Sequence, residues 1–233
     1  MISENLALIR QKISKACSES GREVGSVKLI AVSKNNPVSA ILEAHIAGAV
    51  FFGENKAQEL REKSEIIKQN VIWHFIGHLQ TNKVKYVAGC AGVIHSVESE
   101  KLAEAIDKRA EAEGIVQKFL IEVNTAEEES KFGITKFEDL KKLADYCNNL
   151  QNIQLAGLMT MAPYTDDENV IRNCFGKARE WKDRLNDEGY SLTELSMGMS
   201  NDFEIAIKEG STMVRIGSLI FGERDYSKNW KDE

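Results

Sequence analysis

Eight short apolar runs rich in β-branched residues, separated by longer amphipathic segments, limit most strongly what this chain can fold into. The runs cover residues 27–33, 49–53, 71–76, 92–97, 117–124, 154–160, 193–198 and 212–217. Consecutive parallel strands need a crossover, usually a helix, so this alternation points to an α/β fold with a parallel sheet. Eight strands with helices between them favour a closed (β/α)8 TIM barrel. An open doubly wound sheet uses the same alternation and stays open as the alternative.

At 233 residues the chain fits one such barrel and leaves little room for more, so a single domain spanning 1–233 is expected. Two prolines, no Ser/Gly-rich tract and no long charge block leave no sign of a linker. Thirty-six acidic against thirty basic residues give a net charge of −6, which gives a nucleic-acid surface no global support. Cys17, Cys90, Cys147 and Cys174 lie far apart without paired spacing, the pattern of free thiols in a reducing, cytoplasmic setting. Leu6, Ile9, Ile13 and Cys17 recur at helical spacing among charged residues, so the first segment reads as an amphipathic helix rather than a signal peptide. No stretch approaches the roughly 18 to 20 apolar residues of a membrane span, and no membrane partner is expected. Residues 125–130, with three consecutive glutamates, read as a solvated connection that Gly133 would let move as a lid.

Polar and glycine residues gather where the runs end, and in a barrel those ends converge on the functional face. Lys34 follows the apolar run 29–33, and partial desolvation there favours the neutral amine suited to imine chemistry. The plain alternative is a strand-end lysine reaching into solvent. Ser200 precedes a helical stretch over 201–208, and Gly217-Ser218 opens the turn after the last run, so both offer N–H groups to a phosphate. Ser200 could equally be a simple N-cap. Arg215 shares a side of its strand with Gly217, facing the cavity, or pairs with a barrel carboxylate such as Glu122. His74 and His78 have the spacing of a helical metal pair, but they lie on a strand where four residues span roughly 13 Å, so no metal is expected. His74 and His95 read as satisfied barrel residues, and His78 as a residue of the cavity mouth.

Several of these segments are longer than single motifs. They are Lys28-Leu29-Ile30-Ala31-Val32-Ser33-Lys34, Phe52-Gly53-Glu54-Asn55 with Gln58-Glu59, and Trp73-His74-Phe75-Ile76-Gly77-His78-Leu79-Gln80 with Asn82-Lys83. Gly157-Leu158-Met159-Thr160-Met161, Leu195-Ser196-Met197-Gly198-Met199-Ser200 with Asp202, and Val214-Arg215-Ile216-Gly217 with Ile220-Phe221-Gly222 follow in order. Together they closely resemble the pyridoxal 5′-phosphate homeostasis protein family, one-domain relatives of the alanine racemase barrel. The resemblance implies that Lys34 carries pyridoxal 5′-phosphate as a Schiff base and that Arg215 faces the pyridine nitrogen. It further implies that Ser200 with Gly217 and Ser218 holds the phosphate, and that Asn55 lies near the ring. Two positions depart from the family: Asn36 stands where a second lysine is common, and Ser218 where threonine is.

The implied function is cofactor buffering or carriage in the cytoplasm by a monomer, without catalysis, with apo-enzymes that need the cofactor as partners. The alternatives are a pyridoxal-phosphate racemase or decarboxylase, and a cofactor-free aldolase-like barrel using Lys34. Racemases of the related fold draw a second base from an added β domain, which is not evident here. Tyr164 and Tyr226 are the residues that could fill that gap. An arginine can only donate, so the ring nitrogen it meets stays a neutral acceptor and the ring a weaker electron sink.

Overall fold

The structure is a computed structural model that describes residues 1–126, 132–222 and 230–231. The strands are β1 (Lys28–Val32), β2 (Phe51–Glu54), β3 (Ile72–Phe75), β4 (Val93–Val97), β5 (Gln117–Glu122), β6 (Ile153–Met159), β7 (Glu194–Ser196) and β8 (Met213–Ile216). Each overlaps one apolar run, with ends that differ by at most two residues. Between and around them run α1 (Ile2–Glu19), α2 (Val38–Ile46), α3 (Ala57–Ile66), α4 (Val84–Val87), α5 (Glu100–Glu113), α6 (Phe137–Cys147), α7 (Glu168–Asp187), α8 (Phe203–Lys208) and α9 (Ser218–Phe221).

The sheet closes. β8 pairs in parallel with β1, with Ile30 opposite Arg215 and Ala31 opposite Ile216, and this pairing decides for the barrel over the open sheet. The strands read as near-continuous apolar runs because helices cover the outer face and side chains fill the inner one. The helices carry matching stripes: α7 buries Ile171, Cys174, Phe175, Ala178, Trp181 and Leu185 at three- and four-residue steps. α5 begins at Ser99, whose hydroxyl accepts from Leu102 N at 3.3 Å, and ends at Gly114 in the left-handed region (φ +66°).

The N-terminal amphipathic segment forms α1, burying Leu6, Ile9, Ile13, Ala16 and Cys17 against α2, α8 and α9. Asn5 Nδ2 donates to Ile220 O at 3.0 Å and Arg10 to Ala47 O at 2.8 Å, so α1 spans the β8–β1 seam from outside. All four cysteines are free thiols, and Cys17, Cys147 and Cys174 are buried.

Hydrogen bonds between strands that are not neighbours can only cross the barrel interior, and they mark its layers. Near the N-terminal end Lys28 of β1 pairs with Glu194 of β7 at 2.5 Å, and Thr212 Oγ1 donates to the same carboxylate at 2.7 Å. Further up, His95 of β4 meets Ser196 of β7, and Arg215 of β8 reaches the carbonyl of Thr160 beyond β6. Val93, Leu120 and Met159 form an apolar cluster of their own. Among the described residues no helix is long and apolar enough to cross a membrane.

Candidate cofactor-binding site

The six expected site residues come from β7, β8, β1 and β2, which are consecutive around the barrel. Lys34 lies two residues past β1 and Asn55 follows β2. Arg215 is in β8, Gly217 and Ser218 follow it, and Ser200 lies in the turn after β7. Backbone contacts bind these ends together. A Cβ on Gly217 would stand 3.3 Å from Val32 O, so the turn after β8 rests on the end of β1, two residues before Lys34. A Cβ on Gly77 would lie 2.2 Å from Asn55 O, and glycine there lets the chain after β3 press onto Asn55.

Arg215 is 5% exposed. One guanidinium nitrogen donates to Ser196 O at 2.8 Å and to Ser196 Oγ, the other to Thr160 O at 3.0 Å. The expected alternative, an ion pair with Glu122, is not formed. Three of five N–H groups are thus engaged, which leaves two for an acceptor in the cavity. Burial lowers the Arg215 pKa to about 10, against the opposing pull of Asp202 and Glu122, so the group stays cationic at neutral pH.

Behind Arg215 a relay crosses the barrel. Ser196 Oγ lies 2.9 Å from His95 Nδ1, and His95 Nε2 lies 2.8 Å from His74 Nδ1. Arg215 donates to the Ser196 oxygen, so the serine proton goes to His95 Nδ1. His95 then holds its own proton on Nε2 and gives that bond to His74. His74 keeps its proton on Nε2, which has no partner among the described residues. The reverse order would leave the Ser196 hydroxyl proton unpaired as well. Burial pushes the His74 pKa down to about 3 and that of His95 well below its usual value, so both rings are neutral. The expectation of satisfied barrel histidines holds for His95, while His74 has one satisfied nitrogen.

Ser218 Oγ donates to Ser200 Oγ at 3.2 Å, which brings the two expected phosphate hydroxyls together. They line a cavity of 440 Å³ with Met199, Asn201, Pro163 and Tyr164. The helix after Ser200 starts at Phe203 rather than at residue 201, with Asp202 in the N-cap position. Ser200 is therefore not the cap. Asp202 Oδ1 instead accepts from Met199 N at 2.5 Å and folds the turn that presents Ser200. Tyr164 is 95% exposed.

Lys34 is half-buried, and what lies under it was not expected. Lys63 of α3, wholly buried, donates to Ser33 O at 2.9 Å, Glu54 Oε1 at 2.9 Å and Glu59 Oε1 at 2.7 Å. Ser33 Oγ donates to Glu54 Oε1 at 2.6 Å, and Asn35 N to Glu59 Oε1 at 2.7 Å. Burial raises the Glu54 pKa to about 7 against the pull of Lys63. The sequence signal was slight: Glu59 and Lys63 are four apart on a helix, a spacing typical of surface pairs.

Asn55 Oδ1 is buried with no partner among the described residues, an acceptor waiting at the end of β2. Across the barrel, burial and the neighbouring Glu98 raise the Glu122 pKa to about 7. His78 Nδ1 lies 3.5 Å from Glu98 and its ring stacks on Phe132 at 4.1 Å, so it borders the mouth as expected. No cluster of three metal-ligating side chains occurs among the described residues. Most of the lid expected at 125–130, and Tyr226, lie outside the described residues.

An amine, a pair of hydroxyls at adjacent strand ends, a spare guanidinium edge and an unpaired amide oxygen fit a phosphorylated aromatic aldehyde with a ring nitrogen. Comparison with known proteins points the same way. A model of the alanine racemase N-terminal domain matches residues 4–225. The chain is 47% identical over 225 residues to the pyridoxal phosphate homeostasis protein of Aquifex aeolicus (strain VF5), covering 96% of this chain and 98% of that one. The Escherichia coli (strain K12) protein of the same name is 41% identical over 234 residues, with 97% and 98% covered. The structure also matches PipY of Synechococcus elongatus PCC7942, solved with PLP bound, at TM-score 0.84 and 36% identity over 95% of this chain and 100% of that one. The chain belongs to the pyridoxal phosphate homeostasis protein family and has the barrel of the alanine racemase N-terminal domain.

Proposed function

We propose that this chain binds pyridoxal 5′-phosphate on Lys34 and keeps it available within the cytoplasm, as a monomeric buffer or carrier without turnover of its own. What supports this reading is that Lys34, Arg215, Ser200 and Ser218 lie on β7, β8 and β1 or in the turns after them, with Ser200 and Ser218 in contact, in a chain of this family. The cofactor, when bound, supplies an aldehyde that an amine can hold reversibly. Lys34 is that amine. Ser200, Ser218 and the Gly217 backbone take the phosphate, and Arg215 donates to the ring nitrogen through its two unengaged N–H groups. Asn55 borders the ring with its unpaired oxygen. Apo-enzymes that need the cofactor are the partners this role requires.

The reading without catalysis is supported by Tyr164, which could have supplied a second base, being turned to solvent. Borohydride reduction of loaded protein followed by peptide mapping tests the site. Label on Lys34 is expected, and label on Lys83 instead would refute the assignment. Incubation with L-amino acids in deuterated water tests the lack of turnover. Sustained α-proton exchange that disappears in Lys34→Ala would replace this reading with a racemase.

A further inference from the structure

We propose that Lys63 is a positioning residue for Lys34: with Glu54 and Glu59 it clamps both chain neighbours of Lys34 and so sets the direction in which that amine leaves β1. This rests on Lys34 being the cofactor lysine. The geometry is complete on the ammonium side. Lys63 has three N–H groups and three acceptors within 2.9 Å: Ser33 O, Glu54 Oε1 and Glu59 Oε1. Each carboxylate oxygen then takes a second bond from the segment around Lys34, from Ser33 Oγ on one side and from Asn35 N on the other.

That segment has an unusual backbone. Asn35 has φ +61°, the only residue other than glycine with positive φ among the described residues, and it follows Lys34 directly. The left-handed conformation is unfavourable for an L side chain, though asparagine tolerates it best, and it persists where the surroundings hold it. The holding bonds are Asn35 N to Glu59, Lys56 Nζ to Asn35 Oδ1 at 3.1 Å, and Asn36 N to Ser33 O at 3.0 Å. Stability alone does not explain the cluster. Buried ion pairs are often matched or bettered by apolar side chains of similar volume, so a buried ammonium and two buried carboxyls beside one lysine point to geometry. The second oxygens of Glu54 and Glu59 have no partner among the described residues, so both carboxyls serve the clamp with one oxygen each.

The test compares capture of the aldehyde with simple binding. Attachment forms a C=N bond between the Lys34 amine and the aldehyde carbon and releases water. Pyridoxine 5′-phosphate has the same ring and phosphate but an alcohol, and binds only non-covalently. The triple variant Glu54→Gln, Lys63→Met, Glu59→Gln removes the ammonium and both carboxyls together, so that no unpaired charge is left behind, and circular dichroism checks its fold. Its affinity for pyridoxine 5′-phosphate is expected to stay within twofold of wild type. The rate of borohydride-trappable attachment of pyridoxal 5′-phosphate to Lys34 is expected to fall at least tenfold. Equal rates in variant and wild type would overturn the proposal, as would parallel losses for both ligands, which is what a structural role predicts. Should the triple variant not fold, Glu59→Ala decides: it takes away the acceptor that Asn35 N and Lys63 share, and a trapping rate unchanged from wild type overturns the clamp. If wild type itself traps another lysine, the proposed function fails, a result distinct from all of these.

Discussion

His74 and His95 should give the barrel a steep loss of stability in acid, and the slope can be worked out group by group. Both rings are buried, and the pKa of His74 is about 3 against an ordinary value of 6.5. A base with a depressed folded pKa lets the unfolded chain take up its proton first, so its stabilisation is complete above pH 6.5 and is lost as pH falls toward 3. For His74 alone the full loss is about 5 kcal/mol, at about 1.4 kcal/mol per pH unit. His95 acts in the same direction, so two buried histidines give a slope near 2.8 kcal/mol per unit. Glu54 and Glu122 work the other way. Their folded pKa values, raised to about 7, mean stability that is present below pH 4.5 and lost as pH rises through 7. From pH 4.5 to 6.5 the two pairs oppose each other and the curve is expected to be nearly flat. Below pH 4.5 the histidines act without that opposition and stability falls.

The perturbation is His74→Phe, a swap that keeps an aromatic ring where His74 already meets Phe51 edge to face at 5.6 Å. It strands the His95 Nε2 proton, a pH-independent cost of about 1 to 3 kcal/mol. It also removes one titrating group, so the slope below pH 4.5 should drop by about half and stability should rise toward acid between 6.5 and 4.5. Urea unfolding at half-unit steps from pH 3.5 to 7, followed by tryptophan fluorescence, reads both. An unchanged acid slope in the variant would refute the neutral His74–His95 pair.

Ser200→Ala should weaken pyridoxal 5′-phosphate about ten- to a hundredfold, the value of a hydrogen bond to a charged group, while leaving pyridoxal nearly unaffected by equilibrium titration. Equal weakening of both would contradict the phosphate role. Arg215→Gln should shift the absorbance maximum of bound cofactor and weaken it by about 1.5 to 3 kcal/mol, whereas an unchanged spectrum would place the ring nitrogen elsewhere. Loaded protein mixed with a cofactor-free pyridoxal-phosphate enzyme should restore activity. If only heat-released cofactor does so, the chain stores rather than carries.

The strands were legible because each is covered on both faces, which leaves an uninterrupted apolar run with a polar residue where the cover stops. Lys34, Asn55 and Gly217 stood out for that reason. Closure was less legible, since nothing in the runs themselves distinguishes a β8 that pairs with β1 from one that ends an open sheet. Contacts across the barrel were not legible at all. His74 and His95 are 21 residues apart on different strands, and Ser196 is 101 residues further, so no local spacing announces the relay. The visible spacing, His74 to His78, means little on a strand, where four residues separate the two rings too far for one ion. Lys63 was hidden by a different cause: its pairing with Glu59 has the spacing of a solvent-exposed helix pair, and only the packing of α3 onto β2 and β3 buries it.

Whether a bound cofactor of this class turns over depends on how the protein treats its ring nitrogen and on what faces the reacting carbon. Arg215 keeps its protons at neutral pH and can only donate. The relay behind it cannot change this, because both histidines are neutral and every proton in the chain is directed away from the guanidinium. In the proposed placement a ring so held would be a weaker electron sink, which disfavours carbanion chemistry without excluding it. Glu122 is the group that bears on the other condition. It ends β5, which stands opposite β1 in an eight-stranded ring, and its carboxyl titrates near neutrality. What raises it is burial and the charge of Glu98, not a partner that would steer a proton to a substrate carbon. With its pKa near 7, Glu122 carries only part of a full charge at neutral pH and adds less negative charge to the barrel interior than an exposed carboxylate would. The raised pKa of Glu122 therefore follows from burial beside another carboxyl and needs no role as a second base to explain it.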